Sequence, residues 1–403
     1  MEFAAAPAYT GQILKTLEDA GHRAYLVGGC VRDMLLGRRP MDWDICTDAE
    51  PDRVLALFPG AVPTGLRHGT VTVRLGRGQA EVTTFRADGD YSDHRRPDSV
   101  RFVRSLTEDL RRRDFTINAM ALSCGGVLTD IFGGRQDIEG RVVRCVGDPA
   151  ARFGEDALRM LRALRFCAQL GFALDPATDA AIRMLVPTAA LLAPERVRDE
   201  LEKMLLSPRP VFFGQALESG LLRAYLSAPA KPFAPRVLRT LPRDRRLRWA
   251  ALCALLRRDG LLPDPAAFLA ALRLDNAAVR CCADGAALAD RALDRLERKR
   301  LLADRGPDTA LCYAAAREAL GERGALRAMR GLIDGDECWS LRTLAVDGGD
   351  LLALGLRGAA VGQALHALLS HVLAYPGDNE RAVLLDLARR WLGDIDSAAP
   401  NLA

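Results

Sequence analysis

The spacing of apolar and polar positions changes partway along this chain. Val71, Val73 and Leu75 alternate with Thr70, Thr72 and Arg74, the period of two that a half-buried strand needs. Gly76-Arg77-Gly78 follows and Glu81-Val82-Thr83-Thr84-Phe85 returns, which predicts a hairpin. Upstream, the pattern predicts a helix near Tyr9 to Ala20 and an apolar strand over Ala24 to Val27. A glycine pair, a helix near Val31 to Leu36 and a strand carrying Asp42 and Asp44 come next. An apolar helix is expected over Ile117 to Leu122. From about Asp148 the strand signals stop. Leu158, Leu161, Leu164 and Ala168 recur at helical spacing, and similar stripes run to the C-terminus. Ala228 to Arg245, with four prolines, reads as an irregular connection.

The expected architecture is an α/β head over residues 1–145, followed by an extended all-α remainder. That remainder divides into a neck over 146–225, a body over 226–330 and a tail over 331–403. The 403 residues, 49% hydrophobic and 27% charged, can bury a substantial core. No apolar run reaches membrane-spanning length, so a cytoplasmic protein is expected. The ten cysteines contain no C-x-x-C pair, which argues against a structural zinc site. A net charge of +4 is no sign of nucleic acid by itself. Nearly all the basic residues are arginine, which suits bidentate phosphate and base-edge contacts but also follows from a GC-rich genome.

Chemistry concentrates near the N-terminus. Leu26-Val27-Gly28-Gly29-Cys30-Val31-Arg32-Asp33 places a glycine pair at a helix start, where backbone can approach a triphosphate closely. Asp42 and Asp44 follow thirteen residues after Gly29, and alternation along a strand would put both carboxylates on one face. Such a pair can bind hard divalent cations such as Mg²⁺. The combination resembles the nucleotidyltransferase superfamily that includes DNA polymerase beta. Two metal ions held there would activate a hydroxyl nucleophile and steady a leaving pyrophosphate. Glu81 is the candidate for a third carboxylate, although an exposed hairpin residue would look the same. Arg32 and the Arg111-Arg112-Arg113 cluster are candidates for phosphate or ribose contact.

A second constellation is Glu155-Asp156-Ala157-Leu158-Arg159-Met160-Leu161-Arg162 with Arg165. Asp156 and Arg159, three apart, are expected on adjacent turns of one helix, where a plain salt bridge is the simplest reading. Hydrogen-bond polarity offers another. A carboxylate accepting from an exocyclic amine and a guanidinium donating to the neighbouring ring nitrogen satisfy cytosine and adenine, whereas uracil and guanine present the reverse order.

These segments, together with Arg112-Arg113-Asp114-Phe115-Thr116-Ile117-Asn118-Ala119-Met120, resemble the successive motifs of bacterial class II CCA-adding enzymes. The likeness reaches the tail at Ala345-Val346-Asp347-Gly348-Gly349-Asp350-Leu351-Leu352 and Gly358 to Asn379, and is weakest over 225–330. It implies Asp42 and Asp44 as the metal-binding catalytic pair, with Mg²⁺ as cofactor. Gly29, Arg32 and Arg113 would contact the nucleotide. Asp156 and Arg159 would select CTP and ATP, with Arg162 and Arg165 beside them, and helical elements would hold the tRNA acceptor arm. Arg236, Arg239, Arg243, Arg245, Arg246 and Arg248 are candidates for that last contact.

Some relatives carry a His-Asp phosphohydrolase domain. This chain has five histidines and no His-Asp dipeptide, and His366 and His371 are not one turn apart, so no phosphatase or phosphodiesterase activity is expected. Three alternatives share parts of the pattern: a poly(A) polymerase, an enzyme adding only CC or only A, and a non-catalytic RNA-binding protein. A shortened loop marks the CC-only enzymes, and Arg86 to Arg101, with Tyr91 to Pro97, looks undeleted. Intact Asp42 and Asp44 count against the binding module.

Overall fold

The computed structural model describes residues 6–88, 100–226 and 232–398. The Tyr91 to Pro97 loop and residues 228–231 of the connection lie outside them. The chain forms two compact units, Met1–Arg236 and Val237–Ala403.

In the first unit, α1 (Ala8–Asp19) leads into β1 (Ala24–Val27), α2 (Gly29–Leu35), β2 (Asp44–Thr47), α3 (Pro51–Leu57) and β3 (Val62–Gly65). The predicted hairpin is β4 (Thr70–Leu75) and β5 (Gly78–Thr84), closed by Gly76 and Arg77. Next come β6 (Arg86–Asp88), β7 (Val100–Phe102), α4 (Leu106–Arg111), β8 (Met120–Ser123), β9 (Leu128–Asp130), α5 (Gly134–Gly140) and β10 (Val142–Val143). Seven strands make one mixed sheet in the order β3-β4-β5-β2-β1-β8-β9, with β2 and β5 its parallel pair. Leu26, Ile45, Val71 and Val82 are completely buried, as are Ile13, Leu14 and Leu17 of α1. Neighbouring residues Val27, Cys46, Phe85 and Ala121 pack into a cluster with Leu110 of α4. The central strands are therefore covered on both faces, which gives near-continuous apolar runs instead of alternation.

That property explains one wrong expectation. Ile117 to Leu122 is not a helix: a 3₁₀ turn over Thr116–Asn118 runs into β8, which pairs with β1 at Val27↔Ala121. A short apolar run buried on both sides looks the same in either state.

The neck helices α6 (Pro149–Glu155), α7 (Leu158–Leu170), α8 (Pro176–Leu185), α9 (Pro194–Leu205) and α10 (Phe212–Glu218) follow, with two-residue β11 (Ala173–Leu174) pairing β10. Asp148 caps α6 by accepting from Ala150 and Ala151 N–H. The stripe Leu158, Leu161, Leu164 and Ala168 is buried on α7, which packs against α9 and α10.

The second unit contains α11 (Arg245–Arg258), α12 (Pro265–Ala271), α13 (Asn276–Leu288), α14 (Arg295–Ala319) and α15 (Ala325–Ile333). It ends in α16 (Gly348–Ala353), α17 (Ala359–Ala374) and α18 (Arg381–Ala398), whose core includes Leu351, Leu368, Val372 and Leu384. Helices α11, α13 and α14 pack mutually, and α14 breaks at Gly306 (φ 78°, ψ 173°) ahead of Pro307. Arg248 is buried and donates to the Leu241 and Pro242 carbonyls at 2.9 and 3.0 Å, so it is not a phosphate contact. Arg245 and Arg246 pair with Asp275 and Asp308, while Arg236, Arg239 and Arg243 are exposed. His371 pairs with Asp378 at 2.8 Å, and His366 is exposed. Among the described residues, no helix is long and apolar enough to cross a membrane.

Candidate active site

Gly28, between β1 and α2, has φ 80° and ψ −134°, a conformation open to glycine and strained for other residues. A Cβ there would lie 3.1 Å from Arg113 Nη1 and 3.7 Å from Asp44 Oδ2. The bare backbone thus lets a cation and a carboxylate close in on the start of α2.

Asp44 opens β2 opposite Glu81 of β5, whose N–H donates to the Trp43 carbonyl at 2.9 Å. Asp42 is not on the strand. It lies exposed in the bend before it, so strand alternation does not align the pair. The two are instead brought together by lining one cavity of about 780 Å³, with Glu81, Arg39, Arg74 and Arg77 on its walls. Burial pushes the Asp44 carboxyl up to about 6; Arg113 opposes the shift, and the Glu81 and Asp42 charges add to it. The hard carboxylate oxygens fit a divalent cation, and the three arginines on the same walls balance their charge. Among the described residues, Glu81 does not converge with both aspartates to within 4.8 Å; the only three metal-competent groups that close are cysteines elsewhere.

Arg113 follows α4 and donates to Asp109 at 3.1 Å through Nη2, while Arg112 donates to the same carboxylate at 2.7 Å. Burial would raise the Asp109 carboxyl, but these two guanidinium groups outweigh it and lower it. Nε of Arg113 is buried and has no hydrogen-bond partner among the described residues. Nη1 is the Arg113 atom that faces the Gly28 position beside Asp44, and it is the one suited to a phosphate oxygen.

Arg32 donates to Asn118 at 2.7 Å and to Asp33 at 2.8 Å. Asn118 in turn donates to Asp114 at 3.2 Å, and Arg162 donates to the other Asp114 oxygen at 2.9 and 2.5 Å. Burial disfavours the Asp114 carboxylate, yet Arg162, Arg159 and the Asn118 hydrogen bond hold its pKa down to about 2. Arg165 is buried, donating to Glu200 and, at 2.6 Å, to Gln169. The guanidinium groups of Arg32, Arg162 and Arg165 lie 5.2, 5.6 and 3.8 Å from the centre of the Phe166 ring.

Asp156 and Arg159 do not share a helix face. Asp156 has extended backbone (φ −141°, ψ 104°) and forms the joint between α6 and α7. Nor do they pair with each other in a simple salt bridge. Asp156 accepts from Arg196 at 2.8 and 3.3 Å, and Arg159 donates to Glu155 at 2.5 Å and to the Arg112 carbonyl at 3.3 Å. Gly29 sits over Arg32, where a Cβ would lie 3.6 Å from Nη2.

Sequence reasoning did not find the partners Asp109, Phe166, Arg196 and Glu200. Arg196 and Glu200, four apart on α9, reach carboxylate and guanidinium groups far away in sequence, and no local spacing announces that. A second cavity of about 790 Å³, lined by Arg141, Phe172 and Arg209 among others, holds none of the expected site residues.

The sheet with its carboxylate pair defines a nucleotidyltransferase head. Residues 24–144 match the family described as poly A polymerase head domain, and residues 171–230 match that described as probable RNA and SrmB-binding site of polymerase A. The CCA-adding enzyme of Limosilactobacillus fermentum is 37% identical over 395 residues, 94% of this chain and 96% of that one. That of Geobacillus stearothermophilus is 47% identical over 277 residues, 66% of each chain and so just under two thirds. The crystal structure of the Bacillus stearothermophilus CCA-adding enzyme in complex with CTP superposes with a TM-score of 0.78 at 35% identity, covering 97% of this chain and 98% of that one. The chain belongs to the family of CCA-adding enzymes.

Proposed function

We propose that this chain adds C, C and A in turn to the 3′ end of tRNA, using CTP and ATP, releasing pyrophosphate and needing no nucleic-acid template. The observation that carries the reading is the convergence of Arg113 and Asp44 on the side-chain-free Gly28. Its family membership and the CTP bound by a 35% identical relative support the same reading. A cytoplasmic location is part of this proposal.

Asp42 and Asp44 are the residues that would hold Mg²⁺. When bound, the metal supplies Lewis-acid activation of the attacking hydroxyl and neutralises charge on the pyrophosphate. The chain's own groups do the rest. Arg113, pre-aimed by Asp109, offers Nη1–H to a phosphate oxygen, while Gly29 and Arg32 bind the triphosphate or ribose. Asp156 accepts from the exocyclic amine and Arg159 donates to the ring nitrogen. Arg196 and Glu155 hold those two groups in orientation, and Arg162 and Arg165 form the basic edge beside the base, steadied by Asp114 and Glu200. Uracil or guanine would leave buried donors or acceptors unpaired, at about 1–3 kcal/mol each. Exposed arginines and the helical tail would engage the tRNA acceptor arm.

The head-domain match keeps poly(A) polymerase as the competing reading. Purified protein, Mg²⁺ and tRNA ending at the discriminator base, at C-C or complete, offered each labelled nucleotide, separates them. Ordered C, C, A addition followed by a stop supports the proposal. A homopolymeric A tail on varied RNA, addition of A alone, or no incorporation by folded protein overturns it.

A further inference from the structure

The ten cysteines look scattered along the chain, yet three converge in the second unit. Cys281 and Cys282 on α13 and Cys312 on the second segment of α14 place their sulfurs within 4.8 Å of one another. All three are buried, at 4%, 0% and 0% exposure. Gly285 brings the two helices this close: a Cβ at that position would lie 2.6 Å from Cys312 Cβ and 2.7 Å from the Tyr313 nitrogen. Two backbone carbonyls face the cluster. The Cys282 thiol donates to the Arg246 carbonyl at 3.3 Å and the Cys281 thiol to the Ala278 carbonyl at 3.5 Å.

We propose that Cys281, Cys282 and Cys312 form a trithiolate site for one thiophilic d¹⁰ cation, with Cu(I) as its biological representative. A metal–sulfur bond of about 2.3 Å in a trigonal plane sets sulfurs about 4 Å apart, within the observed spread. Soft thiolates select such ions. Structural zinc takes four ligands, and three sulfurs alone match a trigonal ion better. Each ligating thiol passes its proton to solvent, with no change of oxidation state. The bound ion would tie α13 to α14.

The test uses full-length, reduced protein without oxygen, titrated with Cu(I) against a chromophoric Cu(I) chelator. One equivalent should be retained, with a thiolate-to-copper ultraviolet absorption, a raised melting temperature and protection of Cys281, Cys282 and Cys312 from alkylation as mapped by mass spectrometry. Cys312→Ser should weaken binding at least 100-fold and abolish the melting shift. The protection map is read against the metal-free protein in denaturant, where burial no longer shields the thiols, and it needs no variant, so it decides the matter even if Cys312→Ser does not fold. Failure to retain Cu(I), retention of Zn²⁺ alone, protection of other cysteines, or a disulfide within the trio after reduction would overturn the assignment.

Discussion

Arg196 grips both oxygens of Asp156, at 2.8 and 3.3 Å, across forty residues of chain. The guanidinium fixes which way the carboxylate's lone pairs point, and a base-reading acceptor depends on that direction. Arg196→Ala should cut kcat/KM for CTP and ATP roughly tenfold or more, for a loss of about 1–3 kcal/mol, and raise UTP and GTP incorporation. Single-turnover incorporation of each nucleotide measures this. Unchanged selectivity in a folded variant would show that Arg196 is only structural.

Gly28→Ala should remove most nucleotidyl transfer. The substitution forces an L side chain to φ 80° and crowds Arg113, costing about 1–3 kcal/mol of local strain. A loss of about 100-fold in kcat, with a melting temperature a few degrees lower, is the expected outcome.

Asp44 should work against stability when no metal is bound. Its carboxyl is raised from 3.8 to about 6, so above pH 6 the folded chain carries a charge that burial disfavours. Below about pH 3 the group is protonated whether the chain is folded or not, and the penalty vanishes. Metal-free Asp44→Asn should therefore be inactive but more stable than the parent at pH 7.5, by on the order of 2 kcal/mol, with the gap closing toward pH 3. Calorimetry across that range reads it directly. Added Mg²⁺ should raise the melting temperature of the parent and leave the variant unchanged.

Asp114 behaves in the opposite sense. Its carboxyl sits at about 2 against an ordinary 3.8, so it contributes stability above pH 4 that is lost as pH falls toward 2. Asp114→Asn should flatten that acid limb and destabilise the protein at neutral pH by about 1–3 kcal/mol, because Arg162 loses its charged partner. Urea midpoints between pH 2 and 7 test both effects.

Local order was what the sequence made readable. The β4–β5 hairpin and the leucine stripe of α7 follow from periods of two and 3.6. Strand β8 was misread because a doubly buried strand has no period to read. Asp42 and Asp156 were assigned to regular elements, whereas both lie just outside one. The catalytic and nucleotide-selecting candidates were visible as residues in a familiar order. Asp109, Arg196 and Glu200 were invisible because their work is done across the fold, and the cysteine trio stayed hidden for the same reason.

Arg196 and the Leu158 N–H hold the break at Asp156 in this state, and releasing them would give the proposed base reader some slack. Residues inside a helix move only with the whole rod. A residue in an extended joint can swing through its own backbone torsions while the rods on either side stay intact. A pocket that must take a single-ring base twice and a fused-ring base once would profit from such a pivot, and α6 and α7 meet at one.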